Sequence, residues 1–159
     1  MYYSTKLIDG LSACFRQWKA KDSHCRFLHG YALSFKITFR CVELDDRNWC
    51  YDFGGFKKSV EKIDGFTIKD WFTYWFDHTT IIAFDDPVKL AFDLLKEEAA
   101  ADVRVMPDVG CEKFAEFVYV NLREAIFKET YGRVAIQSVE CIENNKNSAI
   151  YEPSKINHD

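Results

Sequence analysis

Most of the chemistry open to this 159-residue chain lies in one stretch, Ser23-His24-Cys25-Arg26-Phe27-Leu28-His29-Gly30-Tyr31, where a thiol, two imidazoles and a phenol fall within nine residues. Cys25 stands between His24 and Arg26. Such neighbours lower a thiol pKa and raise the thiolate fraction, the form that acts as base or nucleophile; the plain alternative is an idle loop cysteine. His29 and Tyr31 are two apart, so on a strand both project to one face. A ligand pair needs that geometry, and a strand-edge histidine beside a core tyrosine satisfies it equally. Asp77-His78 joins a carboxylate to an imidazole, which can form a proton relay or simply be a turn dipeptide. Glu143, followed by two asparagines, reads most simply as a surface residue.

The elements that would hold these groups follow from periodicity. From Tyr31 onward, Tyr31, Leu33, Phe35, Ile37 and Phe39 alternate with Ala32, Ser34, Lys36, Thr38 and Arg40, the pattern of a half-buried strand reaching about Val42. Tyr2 to Ile8 is expected to be a first strand stopped by Asp9-Gly10, with a polar connection from Ser12 to Cys25. Glu43 to Asn48 has hairpin-turn composition, and Trp49 to Phe53 would return as a short arm. Phe56, Val60 and Ile63 suggest a helix. Trp71, Phe72, Trp75 and Phe76 form an aromatic cluster suited to core packing. Asp86-Pro87 resembles an N-cap and N1 pair opening a helix whose buried stripe would be Leu90, Ala91, Leu94 and Leu95. Ala101 to Met106 is an extended piece. The longest helix, about Glu112 to Lys128, carries Phe114, Phe117, Val118, Leu122 and Ala125 on one face. Strands are expected over Arg133 to Glu143 and Ser148 to Tyr151, and a disordered tail over 153–159. This is an α+β layout, a largely antiparallel sheet with helices on one face, in a single domain of residues 1–152.

A net charge of −4 gives no reason to expect a nucleic-acid or membrane-surface partner. No apolar run approaches the roughly 18 residues of a membrane span, and the N-terminus has no signal-peptide core, so a soluble cytoplasmic protein is expected. Six cysteines without a Cys-x-x-Cys pair read as free thiols, most of them small core residues.

Taken in order, these groups resemble the motifs of the 6-pyruvoyltetrahydropterin and 6-carboxytetrahydropterin synthase family. Ser12-Ala13-Cys14-Phe15-Arg16 is similar to the family's Phe-x-Ala-x-His segment, and Cys25 to Tyr31 resembles its catalytic-cysteine loop and His-x-His strand start. Asp52-Phe53-Gly54-Gly55-Phe56-Lys57, Phe76-Asp77-His78, Gly110-Cys111-Glu112-Lys113-Phe114-Ala115 and Val139-Glu140-Cys141-Ile142-Glu143-Asn144 resemble later motifs in the same order. The resemblance implies a tunnelling fold whose sheets join into a barrel by oligomerisation, as a homotrimer or homohexamer with sites between subunits. It implies a small-molecule pterin substrate such as 7,8-dihydroneopterin triphosphate or a relative. The implied reaction is a lyase reaction giving the pyruvoyl product, or the carboxy product that leads to 7-deazaguanine and queuosine. By resemblance, Cys25 would be the general base and Asp77 and His78 its relay. Glu143 would anchor the pterin, with Glu112 and Cys111 beside it.

The family also binds zinc through three histidines, and the corresponding positions are read here as Cys14, His29 and Tyr31. Cys14 as a thiolate suits zinc and His29 is retained. A neutral phenol is a poor zinc ligand, so Tyr31 strains the set. Three outcomes are open. Zinc stays on Cys14 and His29 with His24 as the third ligand; a different metal uses the Cys/His/Tyr set; or the metal is gone and the chain binds a pterin or purine-like ligand without full lyase chemistry.

Overall fold

The structure, a computed structural model, describes residues 1–154. The expected tail falls mainly on residues 155–159, which lie outside the described residues. Six strands form one sheet: β1 (Tyr2–Phe15), β2 (His29–Cys41), β3 (Thr79–Ala83), β4 (Val103–Met106), β5 (Val134–Ile142) and β6 (Ser148–Tyr151). Their order is β4-β3-β1-β2-β5-β6. The β1–β2, β2–β5 and β5–β6 pairs are antiparallel, whereas β3 lies parallel to both β1 and β4. The helices are α1 (Gly55–Lys58), α2 (Ile68–Phe76), α3 (Lys89–Glu97) and α4 (Cys111–Glu129). The result is an α+β fold with a curled sheet.

The odd-numbered residues Leu33 to Cys41 of β2 face a single apolar core with Phe56, Trp71, Phe72, Phe76 and the α4 stripe Phe114, Val118, Leu122 and Ile126. The long alternating run therefore does what its period dictates, and the aromatic cluster of α2 is core. Thr67 caps α2: its hydroxyl oxygen accepts from the Asp70 N–H at 3.1 Å. A smaller cluster of Ile82, Phe92 and Val103 seats α3 on the other side of β3, since Ile81 and Ile82 point to opposite faces.

Several expectations are corrected. Asp9-Gly10 does not stop β1. Ile8 pairs with Phe35 and Leu11 with Leu33, so three steps on β1 match two on β2. This is a bulge of one extra residue, and Gly10 takes the left-handed backbone it needs at φ 71°. Trp49 to Phe53 forms no strand, because the Glu43–Asn48 segment leads into a loop. The helix expected over Phe56 to Ile63 is a single turn, α1, and Val60 is exposed. β3, five buried residues without alternation, was not anticipated. On α3 the stripe is turned outward: Phe92 is buried while Leu90 is 84% exposed and Leu94 56%. Asp86-Pro87 makes a turn ahead of α3 instead of capping it, with the buried Asp86 paired to Arg16 at 2.9 Å.

Candidate functional site

The bulge decides which side chains of β1 reach the end of the sheet where β2 begins. Before it, even-numbered positions such as Ser4, Lys6 and Ile8 lie opposite core residues of β2; after it, the odd-numbered Leu11, Ala13 and Phe15 do. A one-residue shift exchanges the faces of everything downstream. Phe15 is paired with His29 and Ala13 with Tyr31, so Phe15, His29 and Tyr31 share a face. The Phe15 and Tyr31 rings stack with centroids 4.1 Å apart and planes 13° from parallel. Phe114 of α4 meets Phe15 edge-on at 4.9 Å. The Tyr31 hydroxyl lies 2.8 Å from His29 Nε2.

Cys14 points the other way, its Sγ 3.2 Å from the Thr80 hydroxyl. This corrects the metal reading. Aligned on Ala13, the Phe-x-Ala-x-His segment puts its histidine position at Phe15, and strand alternation agrees. His24 sits exposed on the 3-10 turn His24–Arg26. Among the described residues, no group of three or more His, Cys, Asp or Glu side chains is arranged to hold a metal ion. A phenylalanine stacked on a tyrosine offers no donor for zinc, and His29, the imidazole that shares this face among the described residues, already meets a phenol. The residues present do not fit a three-ligand zinc site.

Beside the stack lies a cavity of about 200 Å³ lined by Phe15, Tyr31, Cys25, Cys111, Glu112 and Glu143. Residues more than a hundred positions apart thus converge at the start of β2, the end of β5 and the first turn of α4. The Cys25 loop is fixed to the end of β1 by the Gln17 N–H donating to the Cys25 carbonyl at 2.8 Å. The Ser23 hydroxyl caps its turn by accepting from the Cys25 N–H at 3.1 Å. Gly110, at φ 126°, precedes α4 where a Cβ would stand 2.5 Å from the Gln17 amide nitrogen. Glycine alone suits both the backbone and the approach.

Burial pushes the Tyr31 phenol well above its ordinary range, helped by the negative charge that Cys25, Glu143 and Cys111 would carry. Tyr31 therefore stays protonated. Cys111 is drawn below the ordinary thiol range by a hydrogen bond from Cys141, against burial and the neighbouring carboxylates. Cys141 itself is pushed far up by that same bond and by burial, and so remains the thiol donor. All six cysteines are free.

Asp77 and His78 do not line this cavity. Asp77 accepts the Ser12 N–H at 3.0 Å and lies 3.0 Å from His78 Nδ1. His78, held at φ 58°, has its side chain 86% exposed. Gln17, Asn147 and Ser148 also line the cavity and escaped the sequence reading. The hairpin after Glu143 was the available signal, because a turn there folds Ser148 back beside Glu140, whose carboxylate accepts from the Ser148 hydroxyl at 2.7 Å.

With this geometry in view, comparison with known proteins identifies the family. The sequence model for 6-pyruvoyl tetrahydropterin synthase matches residues 6–154. The chain belongs to the 6-pyruvoyl tetrahydropterin synthase family. Solved structures share the fold over nearly the whole chain. An uncharacterized protein from Wolinella succinogenes is 21% identical with a TM-score of 0.76, over 95% of this chain and 97% of that one. The Caenorhabditis elegans 6-pyruvoyl tetrahydropterin synthase is 18% identical with a TM-score of 0.61, over 96% of each chain. The Plasmodium vivax 6-pyruvoyl tetrahydropterin synthase is 14% identical with a TM-score of 0.61, over 96% and 99%. No curated protein matches the sequence. No helix among the described residues is long and apolar enough to cross a membrane.

Proposed function

We propose that the chain binds a reduced pterin in the cavity between Glu143 and Cys25 and that Cys25, as thiolate, removes a proton from the side chain of the bound ring, in a lyase-type reaction. The observation that carries this reading is the meeting of Cys25, Cys111, Glu112 and Glu143 around one cavity. A carboxylate such as Glu143 accepts two parallel hydrogen bonds from a guanidine-like edge. The stacked Phe15–Tyr31 pair supplies a rigid wall of fixed orientation. Once Glu143 holds the ring edge, a base fixed on a braced loop meets a side-chain carbon in constant register, which is where positioning lowers a barrier.

Asp77 and His78 can serve such a site only from a neighbouring subunit. The cavity lies apart from them within the chain, and His78 is exposed. A barrel of joined sheets, as a trimer or hexamer, would bring them in. The outer strands β4 and β6 are each four residues long and leave open edges on which such joining depends.

A second reading is binding without turnover. Phe15 at the position of a metal ligand favours it, since a site short of ligands would lack the metal that polarises a substrate. One experiment separates the two. Protein and 7,8-dihydroneopterin are mixed in D2O, and side-chain deuterium incorporation is followed by NMR alongside binding by fluorescence quenching. Catalysis gives exchange that Cys25→Ala abolishes while binding persists. Binding without exchange in the wild type establishes the second reading. Unchanged affinity in Glu143→Gln removes the pocket assignment altogether.

A further inference from the structure

Of the six free cysteines, four stand in two pairs in hydrogen-bond contact, Cys41 with Cys50 and Cys111 with Cys141. Two thiols side by side are one two-electron oxidation away from a disulfide. Cys41 and Cys50 are both buried in the core. The other pair is asymmetric. Cys141 is buried in β5, its backbone held between Phe35 of β2 and Ala149 of β6. Cys111 is the first residue of α4; it packs against the same core and also lines the cavity. A small oxidant entering the cavity therefore meets Cys111, with Cys141 directly behind it. The two also differ in freedom to move. Strands on both sides fix Cys141, whereas Gly110 gives the start of α4 no side-chain cap. Both thiols belong to one chain, so the pair is complete whatever a neighbouring subunit adds to the cavity.

We propose that Cys111 and Cys141 are a modification site, a thiol pair that a peroxide converts reversibly to a disulfide, drawing the first turn of α4 onto β5 and weakening pterin binding. The effect on binding rests on the pterin reading above; the cross-link does not. The Cys111 sulfur attacks one peroxide oxygen. An S–O bond forms, the O–O bond breaks, and the departing hydroxide carries off the thiol proton as water. The Cys141 sulfur then attacks that of Cys111. The S–S bond forms, the S–O bond breaks, and hydroxide leaves with the Cys141 proton as a second water. The two thiols give up two electrons in all, and the peroxide takes them. A disulfide holds its sulfurs about 2 Å apart, closer than two thiols in contact. Cys141 is pinned in the sheet, so Cys111 must come to it and bring Glu112 along, which reshapes the cavity wall.

To test this, the reduced full chain is treated with hydrogen peroxide, its remaining thiols are alkylated, and the unreduced peptides are mapped by mass spectrometry. The expected product is a peptide pair joined through Cys111 and Cys141, two hydrogens lighter than its parts and released by dithiothreitol. In Cys141→Ala, Cys111 should stop at the sulfenic acid and be trapped by dimedone. Fluorescence quenching with 7,8-dihydroneopterin should show binding about fivefold weaker after oxidation, the equivalent of one lost hydrogen bond, and restored by dithiothreitol. Cys111→Ala should abolish that response to peroxide. A Cys111 that stays reduced, a link from Cys111 to Cys25 in its place, or a Cys41–Cys50 link formed first overturns the inference. So does a Cys111–Cys141 link that leaves the affinity unchanged. If the link forms but neither the reduced nor the oxidised chain binds the pterin, the pterin reading falls and the cross-link stands.

Discussion

On one face of β1 beyond the bulge, Leu11, Ala13 and Phe15 are buried against core and cavity wall. On the other, Cys14 meets Thr80, and Arg16 at the strand end pairs with the buried Asp86. The two faces are interleaved in six residues, yet one is apolar and reaches the cavity through Phe15, and the other is polar and structural. What separates them is not composition but parity. The extra residue at Asp9-Gly10 assigns each side chain to its face, so a single backbone irregularity decides which chemistry the cavity can have.

The strongest way to break this arrangement is to remove the bulge. Deleting Gly10 makes β1 regular and would turn Phe15 out and Cys14 in. Losing one buried aromatic costs about 3–5 kcal/mol, and Leu11 goes with it, more than a marginally stable domain can spare. Thermal denaturation followed by circular dichroism should show no cooperative transition; a Tm close to wild type would mean that the strand absorbs the deletion elsewhere.

A smaller effect is expected on the polar face. Arg16→Ala leaves the Asp86 carboxylate buried without its cation and should cost about 3 kcal/mol, read as a lower urea midpoint at unchanged slope. An unshifted midpoint would show that the backbone N–H of Val88, which donates to Asp86 at 3.0 Å, satisfies the carboxylate by itself. The smallest change is at Cys14. Cys14→Ala removes the contact to Thr80, worth about 1 kcal/mol, and should leave pterin affinity untouched. A variant that folded but no longer bound pterin would return Cys14 to the pocket side and collapse the distinction between the faces.

The same parity explains what could and could not be read from the chain. The strand from Tyr31 and the helix carrying Phe114, Val118 and Leu122 were legible because long apolar periodicities leave one choice of buried face. β3 was not, since Thr79 to Ala83 is buried throughout and has no alternation to detect. The outward turn of Leu90 and Leu94 was equally hidden, because an apolar helix stripe says that something should cover it and not that this chain does. Among the candidate residues, Cys25, Cys111, Glu112 and Glu143 were singled out by the resemblance of their motifs, and the fold brings the four to one cavity. Cys14 was assigned to the metal set because Ser12-Ala13-Cys14-Phe15-Arg16 was matched to the family segment one residue out of register, whereas alignment on Ala13 puts the histidine position at Phe15. Gln17 gave no signal, as its position comes from how a loop closes, and Asn147 and Ser148 were signalled only by the hairpin after Glu143.

Gly110 and Gln17 carry one last consequence. They interlock like a latch. The bare backbone at the foot of α4 leaves just enough room for the amide of the residue that also ties down the Cys25 loop. Helix and loop therefore move as one piece. Bulk at position 110 would evict the amide and unfasten the loop, laying Lys19 and Lys21 open to proteolytic nicking while the sheet beneath stayed whole.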